Sequence, residues 1–333
     1  MTNITMADGS GGSQMHKLID SVFLKRFSNP ILNQKKDSAI IKIGDKKIAF
    51  TTDSYVVKPI FFPGGDIGSL ALYGTVNDLS VCGARPLYIS VGAVIEEGLD
   101  RSVLDRIVDS MARAASTAEV QIVTGDTKVV ERGACDKIFI NTSGIGEVYY
   151  DDLSVNNLMA GDCVIVSGPI GDHAISVISK REGIAFDTLV KSDSAPLYGM
   201  IRKVLRSSKE VRFMRDPTRG GVATTLNEIA SPAKFGIVVD EAVVPAREGV
   251  RQACELLGLD PLYLACEGRV IIIAAKGAEK DILKAMRSEK VGRGSRTIGR
   301  VTEDNPGRVI LETVSGGKRI LGMLSGDQLP RIC

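Results

Sequence analysis

Four short segments share one arrangement, an apolar run leading to an aspartate among small or hydroxyl residues. They are Phe50-Thr-Thr-Asp53-Ser, Gly74-Thr-Val-Asn77-Asp78-Leu, Val123-Thr-Gly-Asp126-Thr-Lys128 and Phe213-Met-Arg-Asp216-Pro-Thr-Arg-Gly-Gly221. Three of the aspartates are expected where a strand ends. Asp78 falls inside a very apolar helix, where an ionised carboxylate is costly unless paired or bound to a cation. Hard divalent cations take oxygen ligands, and Mg²⁺ commonly joins a few carboxylates to a substrate's phosphates. If Asp53, Asp78, Asp126 and Asp216 converge, they form such a site. Taken singly, each also reads as a turn or helix-cap residue.

Two glycine clusters, Asp8-Gly-Ser-Gly-Gly12 and Thr218-Arg-Gly-Gly221, precede expected helices. Backbone N–H groups and the helix dipole favour phosphate at such places. Neither cluster is a P-loop, and no dinucleotide fingerprint follows a strand. Glu267, in Ala265-Cys-Glu-Gly-Arg269 before an apolar strand, reads as a base with a raised pKa or as a strand-edge glutamate paired with Arg269. His173 reads as a structural residue at a helix start. The sequence ends on Cys333, after Gly322, Gly326 and Pro330. Extended, the segment 322–333 would reach roughly 40 Å, enough to carry a thiol across a domain face. Arg331 would favour the thiolate and the adjacent carboxylate would oppose it. A frayed terminus is the alternative.

The chain has 333 residues, 44% hydrophobic and 25% charged, with 42 basic against 40 acidic residues and a net charge of +2. That length accommodates two cores, and no basic run interleaved with aromatics suggests nucleic acid. No signal-peptide pattern or membrane-length apolar run is present, so a cytoplasmic location is expected. Cys82, Cys135, Cys163, Cys254 and Cys266 sit in or beside apolar segments and are expected as reduced thiols.

These residues need elements to hold them. Apolar spacing predicts a helix over Lys17–Phe27 and a hairpin of Ala39–Ile43 with Lys47–Thr52. Next come a helix over Ile67–Val81, a strand over Pro86–Glu96, a helix capped by Asp100, and strands over Val120–Thr124 and Lys137–Val148. After a polar break at Tyr149–Gly161 the alternation restarts. Strands are expected at Asp162–Gly168, Val211–Arg215, Gly236–Asp240, Arg269–Ala275, Ser295–Val301, Arg308–Glu312 and Lys318–Leu321. Helices are expected at Gly171–Arg181, Ala195–Arg206, from Gly220, and at Ala278–Arg287. The expected organisation is a glycine-rich arm and helix (1–36), two mixed α/β domains (37–150 and 151–321) and a mobile tail (322–333).

The order DGSGG, TTDSYVVKPIFFPGGDIG, GTVNDLSVCGA, VTGDTKVV, RDPTRGGV, CEGR and PRIC resembles the HypE family of hydrogenase maturation factors, carbamoyl dehydratases, from the first residues to the last. The middle motifs are shared with the wider ATP-binding superfamily of aminoimidazole ribonucleotide synthetase. Asp8 departs from the pattern, which has histidine there (AHGSGG), and puts a role for an imidazole in that loop in doubt.

The resemblance implies two mixed α/β domains, a homodimer, and ATP with Mg²⁺ in the groove between the domains and across the dimer. It implies nucleotide contacts from Gly9, Gly11, Gly12, Thr52, Asp53, Asn77, Asp78, Asp126, Thr127, Asp216, Thr218, Gly220 and Gly221, with metal on Asp53, Asp78, Asp126 and Asp216. Cys333 would receive a carbamoyl group from a HypF-type carbamoyltransferase, and the thiocarbamate would be dehydrated to a thiocyanate. The cyanide would pass to a HypC–HypD complex for the iron of a [NiFe] hydrogenase. Glu267 would remove the amide proton, and Lys128 would stabilise negative charge on the phosphate or carbamoyl oxygen. The competing readings are a phosphotransferase acting on a small free substrate and an ATP-binding scaffold with a docking tail.

Overall fold

Every second residue from Ile138 to Gly146 is buried, the signature of a strand with one face on a core. That strand is the centre of the first of two sheets. The computed structural model describes residues 3–184 and 190–326. Cys333, with Leu329, Pro330 and Arg331, lies outside the described residues.

The chain opens with a helical arm: α1 (Ser13–Leu18), a π-helical stretch Ile19–Leu24, and α2 (Lys25–Phe27). There follow β1 (Ala39–Ile43), β2 (Lys46–Tyr55), a short ribbon of β3 (Phe61–Phe62) and β4 (Gly65–Asp66), α3 (Ile67–Val81), β5 (Ala84–Glu96), α4 (Arg101–Ala118), β6 (Gln121–Val130) and β7 (Ile138–Val148). Five of these strands form a sheet in the order β1-β2-β7-β5-β6, antiparallel except for β5 with β6.

The second half comprises β8 (Cys163–Val166), α5 (Asp172–Glu182), α6 (Tyr198–Ser207), β9 (Val211–Arg215), α7 (Gly221–Ala230), β10 (Gly236–Asp240), α8 (Glu248–Leu257), β11 (Ile271–Ala274), α9 (Glu279–Arg287), β12 (Arg296–Thr302), β13 (Val309–Glu312) and β14 (Lys318–Ile320). Its sheet has seven strands in the order β14-β13-β10-β12-β8-β11-β9. The expected pair of mixed α/β units is therefore present. Helix α8 was not foreseen.

Helix α3 organises the first unit. Asp66 caps it, its carboxylate accepting from the N–H groups of Gly68 and Ser69 at 2.8 and 3.0 Å. Apolar residues surround it on all sides because it lies on the sheet, beside α4, and against α6 of the second unit. Gly144 on β7 lets the helix approach, since a Cβ there would stand 2.7 Å from Thr75 Cγ2. Thr75 Oγ1 and Thr142 Oγ1 close that contact at 2.6 Å.

Two strands are longer than their apolar runs. β2 and β6 continue through Asp53 and Asp126, so both aspartates lie within strands, and only Asp216 follows a strand end, that of β9. The polar residues extend the strands because the face opposite α3 carries no helix. Laterally paired residues share a face, and the row Ser54–Asn141–Gly92–Asp126 belongs to that open side. Phe50, Tyr88, Val94 and Ile145 are exposed on it. Among the described residues no helix is long and apolar enough to cross a membrane.

Candidate functional site

A cleft of about 520 Å³ runs between the two units. β2 contributes Thr51, Thr52, Asp53 and Tyr55; α3 contributes Gly74 and Asp78; the segment after β9 contributes Asp216, Thr218 and Arg219; Glu267 closes the inner end. The arm covers one side with Gly9, Gly11, Met15 and Ile19. The two glycine clusters meet here: Gly11, at φ +84°, would place a Cβ only 2.5 Å from Arg219 Cβ. Gly12 sits instead against the segment 321–326, whose Leu324 carbonyl accepts from Ser13 N–H at 3.0 Å. A Cβ on Gly12 would stand 2.2 Å from that oxygen.

The carboxylates are held by hydroxyls and guanidinium groups. Thr51 Oγ1 donates to Asp78 Oδ2 at 2.8 Å, and the Tyr55 hydroxyl donates to Asp53 Oδ2 at 3.1 Å. Arg219 Nη2 is 3.7 Å from Asp53 Oδ1. Deeper, Arg215 Nε bridges Asp37 Oδ1 and Glu228 Oε2 at 3.1 and 3.2 Å, and His16 Nε2 meets Glu228 Oε1 at 2.7 Å. This network, whose Asp37, Arg215 and Glu228 themselves line the cleft, ties the arm, the first unit and the second unit together.

Crowding shows in the protonation equilibria. Burial, then the charges of Asp53 and Asp216, pushes Asp78 well above the usual carboxylate range. Burial, then Asp37 and Glu267, does the same to Asp216. Asp53 is raised by burial against the opposing pull of Arg219, and burial raises Asp37 to about 6 despite Arg215. Glu267 is pushed up to about 8 by burial, with Asp193 and Asp53 adding repulsion. An all-oxygen set of mutually repelling carboxylates suits a hard cation carrying phosphate oxygens. Among the described residues no three His, Cys, Asp or Glu side chains stand close enough together to hold a metal ion by themselves.

The expected residues divide into those the cleft gathers and those it does not. Gly9, Gly11, Thr52, Asp53, Asp78, Asp216, Thr218 and Glu267 line it. Gly12, Gly220 and Gly221 stand behind it as packing residues; a Cβ on Gly221, at φ +61°, would meet the Leu264 carbonyl oxygen at 2.6 Å. Asn77 turns away from the cleft and spends its amide on backbone groups of the second unit.

Convergence of all four aspartates is not met within one chain. The strand order places β6 three strands from β2, about 14 Å at the usual spacing. Asp126 and Lys128 also point to the open face of the sheet, and Thr127 is exposed on the same edge strand. Asp8 faces away too: its carboxylate accepts from Thr5 N–H at 2.8 Å and Thr5 Oγ1 at 2.7 Å, and these bonds hold its pKa down. Arg269 pairs with Asp172 and Asp193, leaving Glu267 without it. His173 is fully buried, with Nδ1 2.9 Å from Ser192 Oγ, as a structural residue would be. The five described cysteines are free thiols.

Sequence reasoning missed His16, Asp37, Tyr55, Arg215, Arg219 and Glu228. Tyr55, Arg215 and Arg219 lie inside the quoted motifs and were open to notice there. His16, Asp37 and Glu228 carry no local signal; only the tertiary fold brings them together.

Comparison with known proteins places this geometry. The family described as AIR synthase related protein matches twice, its N-terminal domain over residues 35–148 and its C-terminal domain over 159–312. Carbamoyl dehydratase HypE of Azotobacter vinelandii is 46% identical over 332 residues, covering 99% of this chain and 97% of that protein. A crystal structure of a HypE–HypF complex superposes with a TM-score of 0.87 at 45% identity, covering 92% of this chain and 99% of that one. A HypE crystal structure in complex with ATP superposes with a TM-score of 0.84 at 48% identity, covering 99% and 100%. The chain belongs to the AIR synthase related family and, within it, to the carbamoyl dehydratases named HypE.

Proposed function

We propose that this enzyme binds ATP in the cleft and dehydrates a thiocarbamate carried on Cys333 to a thiocyanate, the source of a cyanide ligand for the iron of a [NiFe] hydrogenase. The observation that carries this reading is the meeting of Asp53, Asp78 and Asp216 with Glu267 in one cleft, beside the anchored root of the chain's last segment. A relative of 48% identity has been solved with ATP.

The atoms balance as follows. The carbamoyl oxygen of S–C(=O)–NH₂ attacks the γ-phosphorus, the bond to ADP breaks, and the oxygen becomes part of a phosphate leaving group. Loss of the N–H protons as the C–O bond breaks leaves S–C≡N, ADP and phosphate. Glu267, pushed up to about 8, is basic enough to take such a proton once deprotonated, a form whose share grows as pH rises towards 8. Asp53, Asp78 and Asp216, which do not make a metal cluster by themselves, would share Mg²⁺ with the nucleotide's phosphate oxygens, and the ion would supply charge neutralisation for phosphoryl transfer. The Thr51 and Tyr55 hydroxyls keep two of those carboxylates in place.

Asp126 and Lys128 enter this scheme through a homodimer. Their shared open sheet face, with exposed Phe50, Tyr88, Val94 and Ile145, fits a second copy of the chain. Pairing there would carry Asp126 and Lys128 of the partner subunit towards the cleft. The carbamoyl donor fits a HypF-type carbamoyltransferase, in keeping with the HypE–HypF complex of a relative, and the acceptor fits a HypC–HypD complex.

Intact mass spectrometry tests the reading. Incubation with the carbamoyltransferase, carbamoyl phosphate and ATP is expected to add about 43 Da at Cys333, falling to about 25 Da as water is lost. An unmodified Cys333 with ATP still consumed would favour a phosphotransferase acting on a small substrate.

A further inference from the structure

We infer that Asp193 and Asn77 form a two-sided clamp on the Glu267 peptide and are positioning residues for the dehydration step, an inference that rests on Glu267 being its base. Asp193 Oδ1 accepts from the Glu267 N–H at 3.2 Å. On the other side of the same residue, Asn77 Nδ2 donates to the Glu267 carbonyl at 3.3 Å. Both clamping side chains are buried. A glutamate gripped at both backbone groups has its Cα fixed, so its carboxylate enters the cleft along one direction.

The grip is tight because the two segments touch backbone to backbone. A Cβ on Gly268 would stand 1.8 Å from the Asp193 carbonyl oxygen and 3.0 Å from Ala195 N. Only glycine fits after Glu267, which accounts for the Glu-Gly order. The strap carrying Asp193 is anchored in turn. Ser192 N–H donates to the Pro63 carbonyl at 2.8 Å, and Ser192 Oγ meets His173 Nδ1 at 2.9 Å. Asn77 holds its far end, donating to Ala195 O at 3.1 Å and accepting from Leu197 N–H at 2.9 Å.

Asp193 is more than a convenient acceptor. Its Oδ2 lies 3.3 Å from Arg269 Nε, but that N–H is donated to the Pro169 carbonyl at 2.7 Å. The guanidinium therefore balances charge while Oδ1 is left to Glu267. A buried carboxylate is an expensive way to satisfy one N–H. Its place beside the proposed base, with one oxygen turned to the Glu267 N–H, suits a residue that sets that base's position. Catalytic groups displaced by about 1 Å lose on the order of a hundredfold in rate, so such a clamp is worth its cost.

The test uses the full chain with carbamoyltransferase, carbamoyl phosphate and ATP. Asp193→Ala is expected to slow dehydration by about tenfold or more, with the KM for ATP and the extent of Cys333 carbamoylation within about twofold of wild type. Asp193→Asn keeps an acceptor oxygen and is expected to return the rate to within about threefold. Asn77→Ala, which leaves the Asp193–Arg269 pair intact, is expected to give the same kcat-only loss and decides the matter if Asp193→Ala does not fold. A wild-type rate in Asn77→Ala or Asp193→Ala, or an Asp193→Asn as slow as Asp193→Ala, would overturn the clamp. So would a parallel loss of kcat, ATP binding and carbamoylation, the mark of a purely structural role. Glu267→Gln is run alongside: if it still dehydrates, the assignment of the base has failed, whatever Asp193 does.

Discussion

The Tyr55 hydroxyl occupies the space that a side chain on Gly74 would need. A Cβ at position 74 would lie 2.0 Å from that oxygen, and the same hydroxyl donates to Asp53 at 3.1 Å. Gly74→Ala must push the phenol off the carboxylate or bend α3. Overpacking of this kind costs about 1–3 kcal/mol. The variant is expected to unfold at lower urea and to raise the KM for ATP; unchanged values of both would show that Tyr55 does not steady Asp53.

Glu267 should set a pH limit on catalysis. It is raised to about 8, chiefly by burial, and as the proposed base it would act when deprotonated, so the dehydration rate is expected to rise with pH up to about 8 and level off above it. Stability runs the other way. The folded state holds this proton between pH 4.5 and about 8 while the unfolded state has released it, so the contribution of the neutral form is lost as pH rises through that window. Glu267→Gln is expected to remove the rate and to lessen the loss of thermal stability on the alkaline side. A rate that stays flat from pH 6 to 9 would exclude Glu267 as the base.

His173 gives a second, acid-side signature. Burial lowers its pKa from 6.5 to about 4, so the folded state keeps a neutral ring where the unfolded chain takes up a proton. Stability from this source is complete above pH 6.5 and is lost as pH falls towards 4, on the order of 3 kcal/mol in all. Urea titrations at several pH values should show that loss in the wild type and a shallower one in His173→Gln.

Arg215, which lines the cleft, is expected to matter for folding as well. It is the cation between Asp37 and Glu228, at 3.1 and 3.2 Å. Arg215→Met would leave two largely enclosed carboxylates without the cation between them, with only His16 still beside Glu228, a loss approaching the roughly 3–5 kcal/mol of breaking a fully buried pair. Asp37→Asn in the same chain should restore part of it. An additive double mutant, measured by denaturant melts, would rule out the coupling.

The elements legible in the sequence were those governed by one periodicity. Helix α3 begins and ends at the expected Ile67 and Val81, and β9 and β10 match residue for residue, because an apolar run between polar turns leaves little choice. The expected β2 and β6 stop short of their aspartates because the apolar run ends there, whereas the helix-free face of the sheet lets polar residues continue both strands. Glu267 was accessible through its motif and its apolar neighbours. Asp193 was not, because what singles it out is a hydrogen bond to a residue 74 positions away. The separation of Asp126 from the other three aspartates depended on strand order, which local pattern does not encode.

The Asn77 amide has a mechanical consequence. It sits on a helix of the first unit, yet its three hydrogen bonds, to Ala195, Leu197 and Glu267, all go to the second. Parting the two walls of the cleft would break these bonds together and shift Glu267 in the same movement. The two walls of the cleft are therefore tied to each other through the side chain that also grips Glu267. The arm over the cleft is fastened by other bonds, His16 to Glu228 and Ser13 N–H to the Leu324 carbonyl, so the cover and the walls of the cleft are held independently.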